Sequence, residues 1–345
     1  NLCLSRKVIY PHYHPMNLFI LFDIIRKIRQ FNPDIIHVQN GDLLSFLILL
    51  FLKKCSLITT IHDVCIHPGN ESLMNRFIRF WSIKYSKKIF VHGKKLKEKI
   101  IREYNLPEDK VHSIPIGEHN VAPFNEYLKD NVKEEKYILF FGWIGIHKGL
   151  EFLIKAEPLI SNEIPNVRIV IAGKLGNGKF DKEYFRKCQN LINNKQNFEI
   201  YLQYISWEFG AELFQKSSLV VLPYIETSQS GVIPTAYGFR KPVVVTDVGA
   251  MSEIVDDGIT GFIVPPRNPE ALADAIVKLL KDEKSRKRMG ENAYKKLKTD
   301  LSWNNIAEKT IEVYNETIED AKNTETCGDS QIIYHAVSKD EPPGK

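Results

Sequence analysis

The chain has 345 residues, 43% hydrophobic and 26% charged, with a formal net charge of +5. That composition is globular, its charge is too mild to call for a nucleic-acid partner, and its length is long for one core but typical of two α/β domains. The five cysteines, Cys3, Cys55, Cys65, Cys188 and Cys327, are odd in number, scattered and without metal spacing, which fits a reducing cytoplasm.

In chain order, a strand candidate at Lys7–Tyr10 runs into a Pro/His-rich loop. A domain of this type is expected to open on a strand and a glycine-containing loop, so the first strand is expected to be missing. Apolar spacing predicts a helix over Asn17–Phe31, a strand over Asp34–Val38 and a buried helix over Leu43–Leu52, the last shorter than the roughly 20 residues of a membrane span. Then come strand Leu57–Ile61, basic helix Asn75–Ser86, strand Ile89–Val91, helix Lys94–Glu103 and strand Val111–Ile114. Between Arg76 and Arg102 ten basic residues face a single acid, Glu98. Such a segment suits an anionic membrane surface or phosphate-bearing ligands; a solvated helix face is the alternative.

Periodicity lapses from Gly117 to Glu135, as in an interdomain linker. Alternation resumes with strand Tyr137–Phe141, loop Gly142–Gly149, helix Leu150–Ile160, strand Arg168–Ala172, turn Gly173–Gly178, helix Lys182–Asn193, strand Phe198–Leu202 and helix Trp207–Lys216. Strand Leu219–Pro223, a Ser/Gly loop over Glu226–Gly231, helix Val232–Phe239 and strand Pro242–Thr246 form one right-handed crossover of a parallel sheet. Ser228, Gln229, Ser230 and Gly231 fall where such units bind phosphate, at a helix N-terminus beyond the strand ends. The alternative is that Ser and Gly only end a strand and cap a helix. Asn268 and Pro269 open a helix through Lys281, followed by helices Ser285–Lys298 and Asn304–Ala321. The expected organisation is an N-terminal domain over 1–120, a linker over 121–135 and a C-terminal domain over 136–300. A helix over 301–321 packs back on the N-terminal domain, and 322–345 is a disordered tail.

PDIIHVQN at Pro33–Asn40, TTIHD at Thr59–Asp63, IPIG at Ile114–Gly117, FFGWIGIHKGLEFLIKA at Phe140–Ala156 and SQSGVIPTAYGFRKPVVVTDVGAMSEIV from Ser228, followed by GITGFIVPPRNPEALADAI, together resemble a family 4 (group 1) glycosyltransferase of the GT-B fold. The resemblance runs from Lys7 to about Ala321 and is most specific in the C-terminal half. It implies two Rossmann-like, doubly wound domains facing across a cleft, and cytoplasmic transfer with retention from a nucleotide-diphospho-sugar to a saccharide or lipid-linked acceptor. No cofactor is implied. With no Asp-x-Asp motif to hold a metal, charge on the leaving diphosphate falls to a basic side chain and helix dipoles.

By the same resemblance Lys148 grips the diphosphate, and Ser230, Gly231 and the helix opening at Val232 complete the cradle. Gly142, Gly173, Tyr204, Ile205, Glu226, Ser228, Gln229 and Thr235 are further donor-binding candidates. Trp143 stands where the family usually has Arg, and Thr235 where a ribose-contacting Glu is usual. In the N-terminal half His62, with Asp63 beside it, is implied to hydrogen-bond the transferred sugar or the acceptor; a strand-closing histidine oriented by Asp63 is the alternative. His67 is a weaker candidate on the same loop.

Overall fold

A computed structural model describes residues 16–39, 51–52, 56–64, 73–117, 124, 126–130, 132–176, 179–325 and 334–337. The predicted strand Lys7–Tyr10, most of helix Leu43–Leu52, His67 and the end of turn Gly173–Gly178 lie outside the described residues. The chain divides into unit 1, residues 1–114 and 307–345, and unit 2, residues 115–306.

Unit 1 contains α1 (Met16–Phe31), β1 (Asp34–Gln39), β2 (Leu57–Ile61), α2 (Leu73–Tyr85), β3 (Ser86–Val91), α3 (Lys94–Tyr104) and β4 (Val111–Ser113). The strands are parallel in the order β1-β2-β3-β4. β2 is buried along its whole length, as a strand covered on both faces must be. α1 is amphipathic, with Leu21, Ile25 and Ile28 turned inward onto Ile36 and Val38.

Unit 2 contains β5 (Tyr137–Phe141), α4 (Leu150–Glu163), β6 (Arg168–Ala172), α5 (Lys179–Leu191), β7 (Phe198–Tyr201), α6 (Trp207–Lys216), β8 (Leu219–Leu222), α7 (Val232–Gly238), β9 (Val243–Thr246), α8 (Met251–Ile254), β10 (Gly261–Val264), α9 (Pro269–Lys281) and α10 (Glu283–Lys298). Its sheet is parallel throughout, in the order β10-β9-β8-β5-β6-β7. Alternate side chains feed two separate cores. Tyr137, Leu139, Val170, Val220 and Val243 enter one, while Ile138, Phe140, Ile169, Leu219 and Val244 enter the other. This two-sided burial explains why the strands read as continuous apolar runs. Asn268 caps α9 through Ala271 N–H at 2.9 Å, with Pro269 in the first turn, as the sequence predicts.

A final helix, α11 (Trp303–Glu325), begins in unit 2 and continues in unit 1. Within the tail read as disordered, Tyr334–Val337 forms β11, pairing in parallel with β1. β3 starts earlier than the predicted Ile89 and takes in Lys87 and Lys88. Strand alternation exposes Lys87 but buries Lys88, whose ammonium donates to Asp109 O at 3.1 Å and pairs with Asp320. β10 and α8 were not predicted as separate elements; each is only four residues long.

Candidate functional site

From β5 the chain of unit 2 winds outward through β6 and β7, then returns to lay β8 against the other side of β5 before winding out through β9 and β10. β5 and β8 therefore flank the point where the winding reverses. The loops leaving their carboxyl ends depart towards opposite faces and open a crevice. Those loops are 142–149 and 223–231.

They are stitched together. Ile225 N–H donates to His147 O at 2.9 Å. Gly149, at φ +64°, lies so close that a Cβ there would stand 2.0 Å from Pro223 O. The ammonium of half-buried Lys148 sits 3.9 Å from the ring centre of buried Tyr224, whose hydroxyl is 3.4 Å from Ser230 Oγ. Ser230 Oγ in turn accepts from Val232 N–H at 3.3 Å, at the start of α7. Lys148 and Ser230 thus sit at the same edge of one sheet, held from below by a tyrosine that sequence reading passed over.

The remaining predicted donor residues fall into two groups. Gly142, at φ +113°, has its carbonyl against Gly173, where a Cβ would stand 1.7 Å away; a Cβ on Gly142 itself would meet Val232 at 3.7 Å. The bare Cα of Gly173 admits the neighbouring backbone, whereas at Gly142 it is the positive φ that favours glycine. Gln229 is half-buried, and its Oε1 is one of the buried side-chain polar atoms with no protein partner among the described residues. An amide left so can turn to meet a bound group. Ser228 is fully buried, and its carbonyl accepts from Ala250 N–H at 3.0 Å. Thr235 is buried and donates to Gly231 O at 2.9 Å, so its hydroxyl hydrogen is committed within α7. Glu226 is half-buried on the β8 loop. Tyr204, exposed, and Ile205, half-buried, follow edge strand β7, two strands from β5.

In unit 1, His62 follows β2 and His92 follows β3, and the register pairs Ile61 with Val91, so the two histidines emerge side by side. His92 Nε2 and His62 Nδ1 are 2.9 Å apart, and His92 Nδ1 donates to Ile114 O at 3.0 Å. His62 Nε2 lies 3.0 Å from Gln39 Oε1. Gln39 Nε2 is 3.3 Å from His37 Nε2, which also meets Thr60 Oγ1 at 2.7 Å, while His37 Nδ1 meets the Tyr314 hydroxyl at 2.6 Å. Both ring nitrogens of His62 are therefore engaged by groups other than Asp63. Asp63 is exposed, and its carbonyl accepts from Arg79 at 2.7 Å. Burial, reinforced by the neighbouring His62, holds His37 down at about 3 and His92 at about 4, so both are neutral imidazoles at ordinary pH.

The outer face of unit 1 is aromatic as well as basic. On α2 Leu73, Met74, Phe77 and Phe80 are exposed beside Arg76 and Lys84, whose ammonium lies 4.6 Å from the ring centre of Trp81. Phe19 and Phe22 on α1 are exposed too. Among the described residues no helix is long and apolar enough to cross a membrane, and no three His, Cys, Asp or Glu side chains gather as a metal site needs.

A profile of the group 1 glycosyl transferases matches residues 125–296, and one of glycosyltransferase family 4 matches residues 4–117. The chain belongs to the family 4 (group 1) glycosyltransferases. A protein of Methanocaldococcus jannaschii described as an uncharacterized glycosyltransferase is 28% identical over 332 residues, 90% of this chain and 83% of its own. The capsular polysaccharide biosynthesis glycosyltransferase CapM of Staphylococcus aureus is 27% identical over 246 residues, 68% of this chain and 63% of that relative. In fold, the chain is similar to HepE of Anabaena, crystallised with UDP, at a TM-score of 0.67 and 15% identity over 86% of this chain and 82% of that one.

For a family 4 glycosyltransferase, Tyr224 and His92 are the informative residues that sequence reading missed. Tyr224 directly follows the Pro that ends the apolar run of β8, and an aromatic there is hidden by its resemblance to a core residue. His92 had a usable signal, because adjacent parallel strands place the residues after their last pair next to each other.

Proposed function

We propose that this glycosyltransferase moves a sugar, with retention, from a nucleotide-diphospho-sugar bound in unit 2 to a saccharide or lipid-linked acceptor in the making of a cell-envelope or extracellular polysaccharide. The observation that carries the reading is the Lys148–Tyr224–Ser230 set at the reversal point of the unit 2 sheet. Departure of a nucleoside diphosphate concentrates negative charge on its terminal phosphate, and a fixed ammonium lowers the barrier to that step. Lys148 meets that charge, with Ser230, Gly231 and the opening turn of α7 around it; Gly142 and Gly173 are further donor contacts at the strand ends. Gln229 turns its amide to the diphosphate, Tyr204 and Ile205 stand on the nucleoside side, and Glu226, on the β8 loop, is a further donor contact. His62 hydrogen-bonds the transferred sugar or the acceptor. The departing phosphate takes the acceptor's proton, so no protein nucleophile is required. The UDP held by HepE makes uracil the first base to try.

A second reading is a sugar-nucleotide-binding subunit without transfer, favoured by exposed Trp143 in the β5 loop and by the engaged hydroxyl of Thr235. A panel of UDP-, GDP- and dTDP-sugars separates the two. The transferase reading expects one donor to bind and to be hydrolysed slowly without acceptor; saturable binding with no turnover, alone or with polyprenyl-linked saccharides, would leave only the binding subunit.

The acceptor side adds a partner. We propose that exposed Phe77 and Phe80, with Arg76 and Lys84, seat α2 in an anionic bilayer that carries the lipid-linked acceptor. In flotation, the protein is expected to rise with vesicles containing phosphatidylglycerol, to stay down with phosphatidylcholine alone, and to lose binding as salt is raised. Indifference to both variables returns α2 to a solvated face.

A further inference from the structure

The polar chain at the strand ends of unit 1 has a direction, and elementary donor and acceptor counting reads it. A carbonyl oxygen only accepts, so Ile114 O requires the hydrogen of His92 to be on Nδ1. Neutral His92 then presents a bare Nε2, which can only accept, and the hydrogen in the 2.9 Å contact belongs to Nδ1 of His62. One ring atom of His62 is left undetermined, Nε2, and it faces the Gln39 amide at 3.0 Å. A primary amide exchanges donor for acceptor by a half-turn. With the oxygen on His62, that ring is a cation carrying hydrogen on both nitrogens, and Gln39 donates to His37 Nε2; His37 then donates from Nδ1 to Tyr314. With the amide turned, His62 is neutral with Nε2 bare, Gln39 accepts from His37 Nε2–H, and the Tyr314 hydroxyl donates to His37 Nδ1. Both arrangements give every member a partner, the Thr60 hydroxyl 2.7 Å from His37 Nε2 sharing that atom with Gln39 and donating in the first state and accepting in the second, and they differ by one proton on His62.

We propose that His92 is a positioning residue for His62, fixing hydrogen on Nδ1 so that Nε2 is the atom that gains and loses a proton, with the Gln39 amide turning to follow it. The two states are reached without moving a strand. The wiring is built from residues immediately at strand ends: Gln39 closes β1, Thr60 lies next to the end of β2, and His62 and His92 follow β2 and β3. Tyr314, on α11, closes the far end. Among the described residues, titratable or charged groups beside the chain include exposed Asp63, Arg79 with its guanidinium on the Asp63 and Val64 carbonyls, and His112 on β4 across Phe90. A link to catalysis rests on the role proposed above for His62: a ring committed to Nδ1–H offers Nε2 alone to a sugar hydroxyl once that hydroxyl replaces Gln39.

The test reads the rings directly. In the full chain labelled with 15N-histidine, ring nitrogen shifts are followed from pH 5 to 8. The expected result is Nδ1–H on His62 and His92 throughout, Nε2 of His62 losing its proton as the pH rises, and the hydrogen of His37 moving from Nδ1 to Nε2 in step with it. His92→Gln, whose amide can donate to Ile114 O and accept from His62, is expected to keep the tautomer; His92→Phe is expected to release it. Neutral His62 carrying its hydrogen on Nε2 in the unaltered protein, or an unchanged tautomer in His92→Phe, would overturn the proposal. Transfer is measured on the same variants, with kcat expected to fall about tenfold in His92→Phe, at unchanged donor KM, and to recover in His92→Gln. A tautomer that moves while kcat does not supports the positioning role and sinks the catalytic assignment of His62 instead.

Discussion

Lys148→Ala is expected to slow sugar transfer about 10²–10³-fold, roughly 3–4 kcal/mol of lost transition-state stabilisation, while the protein still folds. The two effects separate because the lysine does different things in the two contexts. In the folded protein without substrate its ammonium rests over Tyr224, a contact worth about 1 kcal/mol, so the unfolding temperature should move by no more than about 3 °C. Against a departing diphosphate the same ammonium faces charge that grows only as the bond breaks. Steady-state kinetics with the donor identified from the panel, beside a thermal melt, gives both numbers. Unchanged turnover would remove the β5 loop from the site, and a collapse of the melt would make Lys148 a structural residue.

Gly149→Ala should act on both properties at once. The residue sits at φ +64°, where a Cβ is strained, and that Cβ would stand 2.0 Å from Pro223 O, a backbone atom that cannot rotate away. Backbone strain and overpacking together should cost about 2–4 kcal/mol, and relief of the clash must part the two loops that hold Lys148 and Ser230. Gly258→Ala supplies the comparison. It has φ +73° but nothing within 4 Å of the added carbon, so it should show only the conformational term, about 1 kcal/mol, and retain transfer. Equal denaturation midpoints for the two variants would mean that the loops are not pressed together as described.

Much of unit 2 was legible because its strands are buried on both faces and stand out as short apolar runs between glycine-bearing loops. The cap at Asn268, the loop after β5 and the loop after β8 could be located to within a residue or two. Whether side chains on those loops face outward could not be read. Thr235 illustrates the limit: a helix position near a ligand loop looks available in one dimension, but its Oγ1 folds back to a carbonyl four residues earlier. In unit 1 the difficulty was range. His37, Gln39, His62, His92 and Tyr314 come from separate elements, and only knowledge of strand order and register brings them together. In the basic run only Lys88 turns inward, since Lys87 and Lys88 are neighbours in sequence and opposites in a strand.

The segment read as a linker bears on where unit 2 can be cut. Phe124 is buried against Trp207, Phe214 and Phe239. Glu134 accepts from Ser218 Oγ and from Arg286 Nη2, both at 2.6 Å, and Arg286 is 3% exposed. A truncation beginning at Tyr137 would strand a guanidinium in the interior without its carboxylate, at a cost on the order of 3–5 kcal/mol, and would uncover the cluster of rings beneath Phe124. A separately expressed donor-side unit therefore has to start ahead of Phe124, because Phe124 and Glu134, both before β5, are packed into that unit.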